Sequence, residues 1–135
     1  MLIDQVSVFV ENQEGRLAAV TELLADAGVD ILALSIADTT DFGILRIVVD
    51  DTEKAVKVLR DNDRIVKVTE VLGVKMDNQP GVFAKGVRLL ADNGIGIEYT
   101  YAYAAGRGAD SAALVLRVGD NEKATEILKN AGFAV

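Results

Sequence analysis

Asn12-Gln13-Glu14-Gly15 and Asn78-Gln79-Pro80-Gly81 stand 66 residues apart, and the same shift lays Leu23-Leu24-Ala25-Asp26-Ala27-Gly28 on Leu89-Leu90-Ala91-Asp92-Asn93-Gly94. Two blocks in register at one shift mark an internal repeat. Further along, the shift becomes 69: Asp51-Thr52-Glu53-Lys54-Ala55 falls on Asp120-Asn121-Glu122-Lys123-Ala124, and Leu59 on Leu128. The second copy has gained residues around Gly106-Arg107-Gly108, and insertions belong in loops. That segment reads as a mobile hairpin tip. It is too short for a phosphate loop and lacks the Lys-Ser/Thr that such a loop needs.

Working outward, the periodicity switches in the same order in both copies. Val6, Val8 and Val10 alternate with Ser7, Phe9 and Glu11, as Leu72, Val74 and Met76 do with Gly73, Lys75 and Asp77, which is the pattern of a half-buried strand. Leu17, Val20, Leu23, Leu24 and Ala27 then follow helical spacing up to Gly28, and Phe83, Val87, Leu90 and Ala91 do so up to Gly94. Leu17 and Phe83 are expected at equivalent core positions. Ile31 to Ala37 and Ile44 to Val49 read as strands joined through Asp38-Thr39-Thr40-Asp41-Phe42-Gly43, and Asp51 and Asp120 suit the N-caps of a second helix. Ile65 to Leu72 gives a last strand that can run on into the first strand of copy two. The order is strand, helix, strand, strand, helix, strand, twice over. With right-handed crossovers this predicts an α+β, ferredoxin-like βαββαβ unit repeated twice, each an antiparallel sheet with its helices on one face. The expected domains are residues 1–70 and 71–135. Only Ala134 and Val135 follow Gly132-Phe133, so the last strand of the second domain is expected to be stunted or replaced.

Composition narrows the chemistry. The chain has 135 residues, half of them hydrophobic and 26% charged, which fits a folded globular protein rather than a disordered one. Its net charge is -7 and its 14 Lys and Arg are scattered, so nucleic-acid binding is not expected. There is no Cys and no His. Thiolate and imidazole metal ligands, Cys nucleophiles and every Ser/His or Cys/His arrangement are thereby excluded, and no metal or cofactor is expected. The N-terminal stretch has neither the basic start nor the apolar run of a signal sequence, and no apolar run reaches the roughly 18 residues that would cross a bilayer. A cytoplasmic, non-membrane protein is the expectation.

The loop Asn12-Gln13-Glu14-Gly15-Arg16-Leu17, leading through Ala25-Asp26-Ala27-Gly28-Val29, and its counterpart Asn78-Gln79-Pro80-Gly81-Val82-Phe83, leading through Ala91-Asp92-Asn93-Gly94-Ile95, resemble the ACT domain, an amino-acid-binding regulatory module. The resemblance covers nearly the whole chain and is to short tandem ACT proteins without a catalytic domain. It implies a ligand held between two modules, by this loop from one and by the start of the second strand of its neighbour. The latter set corresponds to Asp30-Ile31-Leu32 in copy one and Gly96-Ile97-Glu98 in copy two. Asp30 offers an acceptor where Gly96 offers no side chain, so two unequal sites, or one functional and one degenerate, are expected.

The loops make physical sense without the resemblance. A chain entering a helix leaves its first N–H groups unpaired at the positive end of the helix dipole, a place for a carboxylate. Gly15 and Gly81 allow close approach, Pro80 suits a first helical turn, and the Asn12 and Asn78 amides both donate and accept. The plainer alternative is that the asparagines only cap the helices. Tyr99, Tyr101 and Tyr103 share one side of a strand where copy one has Ala33, Ser35 and Ala37, so they serve either as ligand contacts near Gly96-Ile97 or as a patch for a homodimer. Asp38, Asp41, Asp50 and Asp51 are explained by turns and caps, with Asp38 the one placed to meet a ligand ammonium. The expectation is therefore a sensor for an amino acid or related small carboxylate that acts on a regulated enzyme or other protein. The alternatives are a structural dimerisation module and, with only carboxylates, Lys, Ser, Thr and Tyr to supply chemistry, a small enzyme.

Overall fold

A computed structural model describes residues 1–38, 41–104 and 110–135. Among them run β1 (Leu2–Glu11), α1 (Arg16–Asp26), β2 (Ile31–Asp38), β3 (Phe42–Val49), α2 (Thr52–Asp61), β4 (Val66–Asp77), α3 (Val82–Asp92), β5 (Ile97–Ala102), β6 (Ser111–Val118) and α4 (Asn121–Asn130). The third strand thus begins two residues earlier than its apolar pattern suggested, because Glu11 pairs with Phe42 and Val10 with Gly43. Thr39, Thr40 and the expected hairpin tip Gly106-Arg107-Gly108 lie outside the described residues.

The chain divides into two compact units, residues 4–69 and residues 1–3 with 70–135. This differs from a cut at residue 70 in that Met1–Ile3 goes with the second unit. In the first unit the strands lie in the order β2-β3-β1-β4, with Val6 opposite Ile47 and Val8 opposite Leu45 in antiparallel register. Val6, Val8, Val10, Leu45, Ile47 and Val49 face one way and meet Val20 and Leu24 of α1 and Ala55 and Leu59 of α2 in one buried cluster. Both helices therefore cover the same face, the ferredoxin-like arrangement. α1 stops because Gly28, at φ 74, turns the chain so that the Val29 N–H reaches back to the Leu24 carbonyl at 2.9 Å. α2 starts where the Asp51 carboxylate accepts from the Lys54 N–H at 3.1 Å, with Glu53 in its first turn and Arg60 in its last to complement the dipole.

The second unit repeats this with β5-β6-β4, and Leu72, Val74, Leu116 and Val118 pack on Leu90, Ala124 and Leu128. Its core is redistributed in volume. Val20 and Val10 of the first unit become Gly86 and Met76, and a Cβ on Gly86 would lie 2.9 Å from the Met76 Cε. The large strand residue and the empty helix position are one adjustment.

Leu17 and Phe83 do occupy equivalent positions, but these are not core positions: each is 42% exposed in the first helical turn, and the inward places are taken one turn later by Val20 and Gly86. The stunted last strand is also accounted for. The Lys75 N–H donates to the Ala134 carbonyl at 2.8 Å, just as the Phe9 N–H donates to Ile65 at 3.1 Å in the first unit. Beyond Ala134 the edge of β4 is satisfied by the N-terminal segment, where Met1 and Gly73 exchange hydrogen bonds of 3.1 and 2.7 Å. Met1–Ile3 thus stands in for the missing strand.

Candidate functional site

Each β1-to-α1-type connection folds on its own backbone. The Gln13 N–H bonds the Glu11 carbonyl at 2.8 Å, the Arg16 N–H bonds Gln13 at 3.3 Å, and the chain enters the helix through Gly15 at φ 81. The second copy repeats the geometry: Gln79 to Asp77 at 2.9 Å, Val82 to Gln79 at 3.3 Å, and Gly81 at φ 89. Both glycines sit in the left-handed region that other residues avoid, so the sequence places glycine here for conformation. The first bonds of the helical ladder are Ala19 N–H to Gly15 and Lys85 N–H to Gly81. Among the described residues this leaves the N–H groups of Leu17, Ala18, Phe83 and Ala84 without a backbone acceptor, at the positive ends of α1 and α3.

The cap residues are Gly15 and Gly81 themselves, with no side-chain capping bond. Asn12 is not the cap residue of α1. The Asn12 amide donates instead to the Asp38 carboxylate at 3.4 Å, a contact that ties the loop to the end of β2. Beside it lies a hollow of about 310 Å³ lined by Asn12, Gln13, Leu17, Ile36, Asp38 and Gly43. The equivalent hollow of the second unit, also about 310 Å³, is lined by Asp77, Asn78, Gln79, Phe83, Tyr101 and Ala102 among others. Exposed Leu17 and Phe83 are thus walls of the two hollows, which explains why an apolar residue at a helix start is left out of the core. The two walls differ: Asp38 supplies a carboxylate where the repeat places Ala104, and Ile36 over Gly43 becomes Ala102 beside Ala112.

Several sequence-based site residues lie elsewhere. Glu14, Gly15 and Arg16, and Pro80 and Gly81, form the loops without lining the hollows, Val82 turns toward the core of its unit, and the Arg16 guanidinium lies 3.4 Å from Glu11. Asp30, Ile31 and Leu32 stand at the start of β2, eight residues from Asp38 and roughly 25 Å along the strand. Gly96 and Ile97 are placed likewise in the second unit. Neither set meets the loop of its own unit. The Asp30 N–H is held by the Asp50 carboxylate at 2.9 Å, and Asp51 caps α2, so turn and cap roles account for those two acids. Tyr99 faces Arg117 and Tyr101 faces Val115, on the sheet side away from α3 and α4; Tyr101, not Tyr99, borders the second hollow. Sequence reading missed Ile36, Gly43, Thr100 and Ala102. No local sequence signal marks them: they meet the loop only because β3, lying between β1 and β2, brings the end of β2 near the end of β1.

A family model described as an ACT domain pair matches residues 1–134. Among solved structures, protein BT0572 from Bacteroides thetaiotaomicron is 41% identical over 98% of this chain and 90% of that one, with a TM-score of 0.91. The ligand-free regulatory subunit of aspartate kinase from Thermus thermophilus, 17% identical over 98% and 95% of the two chains, has a TM-score of 0.68. The corresponding subunit from Thermus flavus, 19% identical over 96% and 92%, has one of 0.67. These two share the fold. No curated protein matches. None of the described helices is long and apolar enough to cross a membrane. The repeated loops, the order of the strands and a match that spans both units agree: this chain belongs to the ACT domain pair family.

Proposed function

We propose that the chain is a cytoplasmic sensor that binds an amino acid or related small carboxylate and, without catalysis, passes its occupancy to a regulated enzyme or other protein. The observation that carries this reading is the pairing, in both units, of two unclaimed helix N–H groups with an adjoining hollow of about 310 Å³, which lies at the lower end of small-molecule sites. The ligand carboxylate sits on the Leu17 and Ala18 N–H groups, or on those of Phe83 and Ala84. In the first hollow Asp38 accepts from the ligand ammonium, aided by Asn12; the second keeps Asp77, as the first keeps Glu11, but the repeat places Ala104 where the first unit has Asp38, and it is the weaker or degenerate site. Asp30 and Gly96 can join a loop only from a neighbouring module. That Thermus relatives of the same fold are regulatory subunits of aspartate kinase supports a regulatory role.

A thermal-shift screen of the twenty amino acids tests the reading. A ligand that binds only the folded chain, present at about 100 times its Kd, adds ~2.7 kcal/mol and raises the melting temperature accordingly. A flat response to all twenty and to small dicarboxylates counts against it.

A further inference from the structure

On the sheet face turned away from its helices, each unit carries one row of three adjacent side chains at equivalent positions, and the flanking members of the two rows are opposite in size. In the first unit Ile44, Phe9 and Ile65 stand side by side: Phe9 faces Ile44 in the antiparallel register, and its N–H bonds the Ile65 carbonyl. Phe9 is 45% and Ile65 69% exposed, so the row projects as an apolar ridge. The repeat places Ala113, Lys75 and Ala134 at the same three positions of the second unit, again directly opposite one another. Two of the three side chains are cut to a methyl, and Gly73 stands where the first unit has Ser7. The face sinks there into a hollow of about 300 Å³ walled by Tyr103 and Ile3.

A ridge and a hollow at equivalent positions on one chain are a matched pair. Exposed contiguous apolar side chains mark association surfaces, and burying them is favourable in proportion to their area. The hollow has apolar walls, and its row includes Lys75, whose ammonium is attracted to the face of an aromatic ring. We propose that the Phe9 ridge of one copy seats in the Tyr103 hollow of a second copy of the same chain. This contact joins unlike surfaces and is independent of the loop hollows.

Sedimentation equilibrium on the full chain tests it with two variants. Phe9→Lys gives the ridge the residue that the second unit carries there, and Ala113→Leu fills the hollow. Circular dichroism first establishes that each is folded. The wild-type chain self-associates, and each variant alone raises the dissociation constant at least about tenfold, the effect of losing one buried apolar anchor. An equimolar mixture of the two regains association, because the Ala113→Leu chain keeps its ridge and the Phe9→Lys chain keeps its hollow. Leu34→Lys, on the opposite face of β2, leaves the constant unchanged. A wild-type chain that stays monomeric, variants that associate like wild type, a mixture that recovers nothing, or dissociation by Leu34→Lys instead overturns the proposal.

Discussion

Gly15 and Gly81 illustrate what a single residue decides. Both stand at strongly positive φ, and a Cβ built on either meets nothing within 4 Å, so steric crowding is not the reason for glycine; backbone conformation is. Gly15→Ala and Gly81→Ala should each cost about 1–2 kcal/mol in chemical denaturation, and Asn at either place should cost less, since its short side chain tolerates the left-handed region. Equal losses for Ala and Asn would show that something other than φ is selected. At this scale the sequence was legible in part. The repeated glycines announced the turns, and the asparagines announced a polar loop. The Asn12–Asp38 contact was not readable, because it depends on how two strands 26 residues apart in sequence come to lie near one another.

Among the elements, the second helix of each unit was the most legible, because its start is written locally. Asp51 and Asp120 each accept from the N–H three residues on, at 3.1 and 3.0 Å. Asp51→Ala and Asp120→Ala should each lower stability by about 1 kcal/mol, measured by urea unfolding, with the loss expressed in the unit that carries the change. The first helices were legible in extent but not in orientation. Leu17 and Phe83 fit a helical stripe and so read as core, yet a stripe alone does not tell a core position from the wall of a hollow at the strand ends, where both stand 42% exposed. The completion of the second sheet was beyond any pattern, since its last strand comes from the far end of the chain. Deleting Met1–Ile3 should expose the Gly73 N–H, which now donates to the Met1 carbonyl at 2.7 Å, and speed its hydrogen exchange markedly while amides of β3 keep their protection. Unchanged exchange at Gly73 would mean that the segment contributes nothing to the sheet.

For the molecule as a whole, duplication explains both the fold and the asymmetry within it. Two copies at shifts of 66 and 69 residues repeat the helix starts, the caps and the strand pairings, which is why the sequence of elements read in one copy was checked by the other. The copies then diverged by paired size changes: Val20 with Val10 against Gly86 with Met76, and Ile36 with Gly43 against Ala102 with Ala112. The same divergence put Ala104 where the first unit has Asp38, and the proposed binding is accordingly expected to be stronger in the first hollow. The most direct measurement is an amide chemical-shift titration of the isotope-labelled chain with the amino acid that most raises its melting temperature. The account predicts the largest shifts at the N–H groups of Leu17 and Ala18, smaller or later ones at Phe83 and Ala84, and loss of the first set in Asp38→Ala. Shifts confined to other parts of the chain, or a Leu17 response untouched by Asp38→Ala, would contradict it.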